Sequence, residues 1–239
     1  MTADLTIASI YADLLGTYGD AGNLITLLHR SDRHGLSAEV IDVQPGDAVP
    51  AQADIYLLGG GEDTAQVAAC NALRSDGAIK AAADAGAVIF AVCAGYQLLG
   101  EYFPDANGQP SPGLGLIDIR TDRLPERAVG ELAAEPQQGS QARHRSRLTG
   151  YENHAGGTTR GDSVAPLGRV LSGIGNGDGT EGSVSGHILG TYLHGPCLVR
   201  NPDIADQLLG WALGRELPQL DEPEVTALRE ERLRTVLGH

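Results

Sequence analysis

Apolar residues follow two rhythms in the first half of the chain. Leu5 to Ala12 and Ala38 to Val43 are dense in Ile, Val and Leu, which predicts buried strands, while Leu24, Leu27 and Leu28 between them fall at helical spacing. Ala53 to Leu58 predicts a third strand and runs into Gly59, Gly60 and Gly61. An Ala-rich stretch from Asp63 to Ala85 predicts a helix, interrupted at Ser75-Asp76-Gly77, and Ala87 to Val92 is the next strand. Strands alternating with helices imply an α/β fold with a mostly parallel sheet and helices on both faces. Right-handed crossovers then put the functional loops at the carboxyl ends of the strands.

The pattern changes in the second half. Leu116 to Arg120, Val129 to Ala134 and Leu148 to His154 are short strand candidates separated by Pro and Gly turns, so hairpins are expected to extend or cap the sheet. Gln137 to Arg147 is a polar stretch carrying Arg143, His144, Arg145 and Arg147, a solvated loop to which no chemistry is assigned. His187 to Leu193 is a last apolar strand. The next helix has Asn201 as its expected cap, Pro202 in the first turn and Asp203 near its positive end. Leu228, Arg232 and Val236 mark a final amphipathic helix. With no internal repeat and no linker composition, residues 1–239 are expected to form a single domain.

Composition narrows the possible partners. The chain has 239 residues, 41% of them hydrophobic, but two Phe and one Trp, so its core must be aliphatic with a contribution from seven Tyr. Asp and Glu outnumber Lys and Arg by 31 to 17, and a net charge of −14 repels phosphate backbones and anionic lipid. Nucleic acid is therefore not an expected partner, and neither is direct membrane insertion. The longest apolar run, Ala87 to Ala94, is eight residues, well short of a membrane span, and no Lys or Arg precedes Arg30. A cytoplasmic location is expected. Cys70, Cys93 and Cys197 are odd in number and lack paired spacing, which argues against a disulfide framework or a zinc ribbon.

One cysteine stands in a distinctive context. In Ala87-Val-Ile-Phe-Ala-Val-Cys93-Ala-Gly95-Tyr-Gln97-Leu-Leu-Gly100, a buried strand runs through Cys93 directly into a helix. A side chain in such a tight turn is held clear of the backbone, Gly95 lets the helix pass close to the sheet, and a helix amino terminus favours negative charge. Cys93 is the candidate nucleophile. A thiolate needs a proton shuttle, and His194, in Gly190-Thr-Tyr192-Leu-His194-Gly-Pro196, also follows an apolar strand, so both groups can meet at one sheet edge. Cys70 and Cys197 have no such context and are expected to be structural.

The Cys-x-Gly-x-Gln elbow, the earlier glycine-rich strand end and the distant histidine resemble the class I glutamine amidotransferases. Tyr151-Glu-Asn153-His154-Ala-Gly-Gly, Gly113-Leu-Gly-Leu and the segment around His194 resemble more closely the cobyric-acid-synthase-like branch, and within it the GatD-type glutaminase subunits of lipid II isoglutaminyl synthase. The resemblance implies a flavodoxin-like core with added hairpins, and a thioester on Cys93 formed from L-glutamine. It further implies an oxyanion held by the N–H groups of Gly60 and Ala94, with Arg127 clamping the substrate's α-carboxylate. Gln97 either contacts glutamine or bonds its own sheet, Asn153 is a pocket-wall residue, and His154 is either wall or structural support.

Many class I members carry Glu two residues after the histidine to orient its ring, and here that position is Pro196. Either a dyad suffices or an acid comes from elsewhere, and an Asp or Glu of a partner is the expected source. No phosphate-binding loop is present, so ammonia must be used elsewhere. The resemblance names the user as a MurT-like Mur ligase that carries ATP and Mg and amidates the D-glutamate α-carboxyl of lipid II, with no cofactor in this chain. A glutaminase for cobyrinate-type amidation, or a non-catalytic regulatory module of the same fold, are the alternatives.

Overall fold

The structure, a computed structural model, describes residues 3–16, 19–137 and 146–238, so Arg143, His144 and Arg145 of the polar stretch lie outside the described residues. The first half runs β1 (Leu5–Ile10), α1 (Ala21–Arg33), β2 (Ala38–Val43), β3 (Ile55–Leu58), α2 (Asp63–Asp76), α3 (Ala78–Asp84), β4 (Val88–Val92) and α4 (Ala94–Leu98). The expected long helix is split at Gly77, whose φ of 75° ends α2 in the left-handed conformation that glycine adopts without strain. The second half runs β5 (Tyr102–Pro104), β6 (Pro110–Pro112), β7 (Ile119–Pro136), β8 (Leu148–Arg160), β9 (Gly168–Ser172), β10 (Thr180–Glu181), β11 (Ser183–Ser185) and β12 (Ile188–Thr191). Three helices close the chain, α5 (Cys197–Arg200), α6 (Pro202–Ala212) and α7 (Pro223–Leu237).

One sheet has the order β11-β12-β4-β3-β1-β2 and is parallel except for β11. Every residue of β3 and β4 is buried, as continuous apolar strands covered on both faces must be, whereas the edge strand β2 is largely open. The chain winds outward from β1 to β2 and then returns across β1 to β3, so the strand order reverses between β1 and β3. The loops leaving the carboxyl ends of those two strands flank a crevice, the place where open α/β sheets bind ligands.

The hairpins do not extend this sheet. They build a second one, β10-β9-β7-β5-β6 with β8 also on β7, and of the second-half strands β11 and β12 join the first. Of the two strands expected at 116–120 and 129–134, Leu116 to Asp118 are not strand and the rest belongs to one strand, β7, because the residues between them form an irregularity rather than a turn. The β7–β8 register shifts between Arg123 and Ala128, and Leu124 to Arg127 bulge from the ribbon, a position where Pro125 costs no ladder hydrogen bond.

A continuous cluster of buried apolar side chains runs from Leu5 in β1 to Leu209 in α6 and includes Leu132 and Leu148 of the second sheet. Tyr11, Tyr56, Tyr96 and Tyr192 are its largest members, and buried hydroxyls need partners. Tyr56 donates to Pro50 O at 2.6 Å, and the Tyr192 hydroxyl meets Thr158 Oγ1 at 2.8 Å on the way to the site described below. Buried Arg30 holds α1 in place, bonding Asp206 on α6 at 2.5 Å and Glu222 ahead of α7 at 2.6 Å.

Two expectations for the C-terminal third change. Asn201 precedes α6 but does not cap it with its side chain. Its Oδ1 accepts the Thr149 N–H at 3.0 Å, and its Nδ2 donates to Thr149 O at 2.8 Å, tying the helix start to β8 instead. Helix α7 forms, yet none of its residues is buried and Leu228 is 60% exposed. No helix among the described residues is long and apolar enough to cross a membrane.

Candidate active site

Cys93 sits between β4 and α4 with φ 52° and ψ −107°, a conformation that costs a non-glycine residue about 1–3 kcal/mol and persists only where the surroundings enforce it. Two contacts enforce it. The Cys93 N–H donates to Thr191 O at the end of β12 at 2.8 Å, and the Gly95 N–H donates to Gly59 O at 3.1 Å. A side chain at Gly95 would stand 2.7 Å from Leu58 O, so only glycine lets α4 leave so close to β3.

His194 comes from the neighbouring strand, three residues past β12. Its backbone is locked to β8 by a two-bond bridge, His194 N–H to Tyr151 O at 2.8 Å and Tyr151 N–H to His194 O at 3.1 Å. The ring lies beside Cys93, both packing against Gly60, and its Nδ1 lies 3.1 Å from Asp20 Oδ1. An ionised carboxylate only accepts, so Nδ1 carries a proton and the tautomer is fixed. Asp20 stands just ahead of α1, in the loop after β1, and is 5% exposed.

The acid expected from a partner is therefore present within the chain, 174 residues from the histidine it faces. Burial disfavours the charged imidazole, but hydrogen bonding and charge from Asp20 and Cys93 outweigh it and push His194 up to about 10. This arrangement stabilises the charged imidazolium form of His194.

Gly60 lies at the centre of the group. Its N–H, expected to face a substrate oxyanion, donates instead to Asp20 Oδ2 at 2.8 Å. A side chain there would meet His194 Cε1 at 2.9 Å, Asp20 Oδ2 at 3.1 Å and Cys93 Cβ at 3.4 Å, so glycine is what allows the three groups to converge. The Ala94 N–H belongs to the first turn of α4, whose donors have no intrahelical acceptor.

Cys93 opens into a cavity of about 360 Å³ whose wall includes Gly61, Ala94, Gln97, Arg127, Asn153 and His154. Arg127, in the β7 bulge, lines the cavity and donates through Nε to Asn153 Oδ1 at 2.7 Å. Arg123 lines the same wall and lies 3.6 Å from Asp63. Gln97 is buried, accepts from Gln66 Nε2 at 2.9 Å and donates to the Tyr192 hydroxyl at 3.3 Å, so it both bonds the protein and faces the cavity.

A sequence profile of the CobB/CobQ-like glutamine amidotransferase domain matches residues 6–202. The chain belongs to that family. Across its full length the amidotransferase is 32% identical to subunit GatD of the lipid II isoglutaminyl synthase (glutamine-hydrolyzing) of Staphylococcus aureus strain N315, over 98% of this chain and 95% of that protein. It is 34% identical to the cobyric acid synthase of Sphingopyxis alaskensis, over 72% of this chain but 34% of that protein. The fold matches a crystal structure of a glutamine amidotransferase with a TM-score of 0.57 at 19% identity, covering 86% of this chain and 98% of that one. It also matches PurLQS from Thermotoga maritima with a TM-score of 0.56 at 16% identity, covering 88% and 99%.

Three residues of the amidotransferase site escape a reading of the sequence. Asp20 resembles an ordinary residue ahead of a helix, Gln66 an ordinary helix residue, and Glu152 an ordinary strand acid. A weak signal exists for Asp20 alone, because it follows the first parallel strand at the edge where catalytic loops gather. The other thiols are inert in their surroundings. Burial pushes Cys70 up to about 11 and Cys197 higher still. A larger hollow, about 1090 Å³, opens at the amino ends of β4 and β12 around Trp211 and Arg215, at the edge away from Cys93.

Proposed function

We propose that this amidotransferase is the glutamine-hydrolysing subunit of a lipid II isoglutaminyl synthase. The supporting observation is the joint one: Cys93, His194 and Asp20 converge beside a cavity of about 360 Å³, in a chain that aligns over 98% of its length with a GatD subunit. The Cys93 thiolate attacks the side-chain amide carbon of L-glutamine, and the Ala94 N–H, at the start of α4, stabilises the oxyanion. The C–N bond breaks as the His194 imidazolium donates its proton to the leaving nitrogen, giving ammonia and a glutamyl thioester. The neutral imidazole then takes a proton from water as water attacks the thioester, which releases glutamate and restores the thiolate. Asp20 keeps the ring in the tautomer that both steps need, and Arg127 holds the substrate's α-carboxylate.

Ammonia passes to an ATP- and Mg-dependent, MurT-like Mur ligase that amidates the D-glutamate α-carboxyl of lipid II, and both subunits work in the cytoplasm as a heterodimer. Cobyrinate amidation is the less favoured reading because the chain spans only 34% of the cobyric acid synthase it matches, against 95% of the GatD subunit. The deciding experiment reconstitutes the chain with a MurT-like ligase, lipid II, ATP and L-glutamine. Glutamine-dependent D-isoglutamine formation that stops in Cys93→Ala but persists with free ammonia is the expected result, and no amidation with either nitrogen source refutes the assignment.

A further inference from the structure

The segment Tyr151-Glu152-Asn153-His154 touches four different parts of the site, yet the reaction above uses neither Glu152 nor His154. Glu152 is 2% exposed, and its two oxygens accept the N–H groups of Ile174 and Gly175, each at 2.8 Å, from a glycine-rich loop. Its Oε2 also lies 3.4 Å from His154 Nε2. The opposite nitrogen of that ring, Nδ1, is 2.7 Å from Gly156 O, a carbonyl that can only accept, so Nδ1 bears a proton. Two backbone amides hold the carboxylate and the ring lies between that carboxylate and Gly156 O, so Glu152 and His154 form a buried hydrogen-bonded pair.

His154 lines the cavity beside the residues proposed to read glutamine, and Glu152, outside that lining, supports it. The His154 ring stacks on Tyr192 with centroids 3.7 Å apart and planes 12° from parallel, and the Tyr192 hydroxyl receives the Gln97 amide. Asn153, between the two paired residues, receives Arg127. Gly156, whose carbonyl takes the ring proton, packs so closely on Gln97 that a side chain there would stand 2.4 Å from Gln97 Nε2. A fully bonded buried polar network of this kind enforces one geometry.

We infer that Glu152 and His154 are a positioning pair for glutamine recognition, fixing the wall that carries Gln97, Asn153 and Arg127; the inference rests on the proposed glutaminase activity. Glu152→Gln removes the charge and one of the two acceptors, while His154→Phe keeps the stack on Tyr192 and removes both hydrogen bonds. Steady-state glutamine hydrolysis by the full chain with its ligase is compared with the rate at which iodoacetamide alkylates Cys93. In both variants KM for L-glutamine is expected to rise roughly 10- to 100-fold, the range for losing a hydrogen bond to a charged group, while kcat and the alkylation rate change little. If Glu152→Gln does not fold, His154→Phe decides. Unchanged KM in the folded variants, with or without a lower melting temperature, overturns the pair, as does a loss confined to kcat. A wild type that does not hydrolyse glutamine overturns the glutaminase reading and this inference with it.

Discussion

Replacing Asp20 by Asn tests the assembly of the catalytic group most directly. The carboxylate meets two donors with two oxygens, His194 Nδ1 at 3.1 Å and the Gly60 N–H at 2.8 Å. Asparagine has one acceptor oxygen and an NH₂ group. If its oxygen stays with Gly60, the NH₂ faces Nδ1, which must give up its proton; the proton then occupies the opposite nitrogen, and the ring can no longer take one from a thiol or from water. The corresponding change in a serine triad lowers kcat about 10⁴-fold, equivalent to about 5.4 kcal/mol of lost transition-state stabilisation. If the oxygen turns to His194 instead, the Gly60 N–H is left buried against an NH₂, a cost of about 1–3 kcal/mol. KM for glutamine should hardly move, because Asp20 does not line the cavity.

The pH dependence carries a sign. Asp20 and Cys93 raise His194 to about 10 against burial, above the ordinary 6.5, so the stability this contributes is complete below pH 6.5 and is lost as pH rises through about 10. In Asp20→Asn the imidazolium is lost at lower pH and the melting temperature falls less steeply on the alkaline side. The assay is glutamate release by the chain alone and with its ligase, from pH 6 to 10, alongside melting curves. A folded Asp20→Asn variant retaining more than about a tenth of wild-type kcat would refute the role of Asp20 as orienter and return the search for an acid to the partner.

A glutamine-analogue electrophile should add mass only to the Cys93 peptide, because burial raises Cys70 to about 11 and Cys197 further; adducts on either of those with Cys93 unmodified would contradict the assignment. Arg127→Ala should raise KM for glutamine roughly 10- to 100-fold while leaving ammonia-dependent amidation by the complex intact. Arg127→Lys should rescue little, since an ammonium lacks the two-pronged geometry, and equal losses with both nitrogen sources would assign the arginine to the complex instead. Burial raises Glu181 to about 7, more than its bonds to Thr191 and Tyr192 lower it, with nearby Glu152 adding to the rise. A raised carboxyl loses stability as pH climbs from about 4.5 to 7, by roughly 2–3 kcal/mol, so Glu181→Gln should flatten the melting profile across that window. A slope equal to that of the wild type would mean Glu181 ionises freely.

The sequence alone determined what depends on neighbours along the chain. Apolar runs and helical spacing located β1 to β4 and the break between α2 and α3, because side-chain periodicity and glycine punctuation are local signals. The strand–Cys93–Gly95–helix elbow and the strand leading to His194 are also contiguous, and both were legible together with the family they belong to. The merging of two expected strands into β7 was not, since a bulge and a turn draw on the same residues and differ only in what pairs on either side. Only the tertiary structure placed Asp20 against His194 and turned the Gly60 N–H onto its carboxylate. That meeting is decided by strand order: β1 and β3 adjoin where the sheet reverses, with β4 and β12 alongside, so four loops distant in sequence share one edge. The Glu152–His154 pair likewise depends on β8 lying beside the glycine-rich loop and Tyr192, contacts that no spacing along the chain encodes.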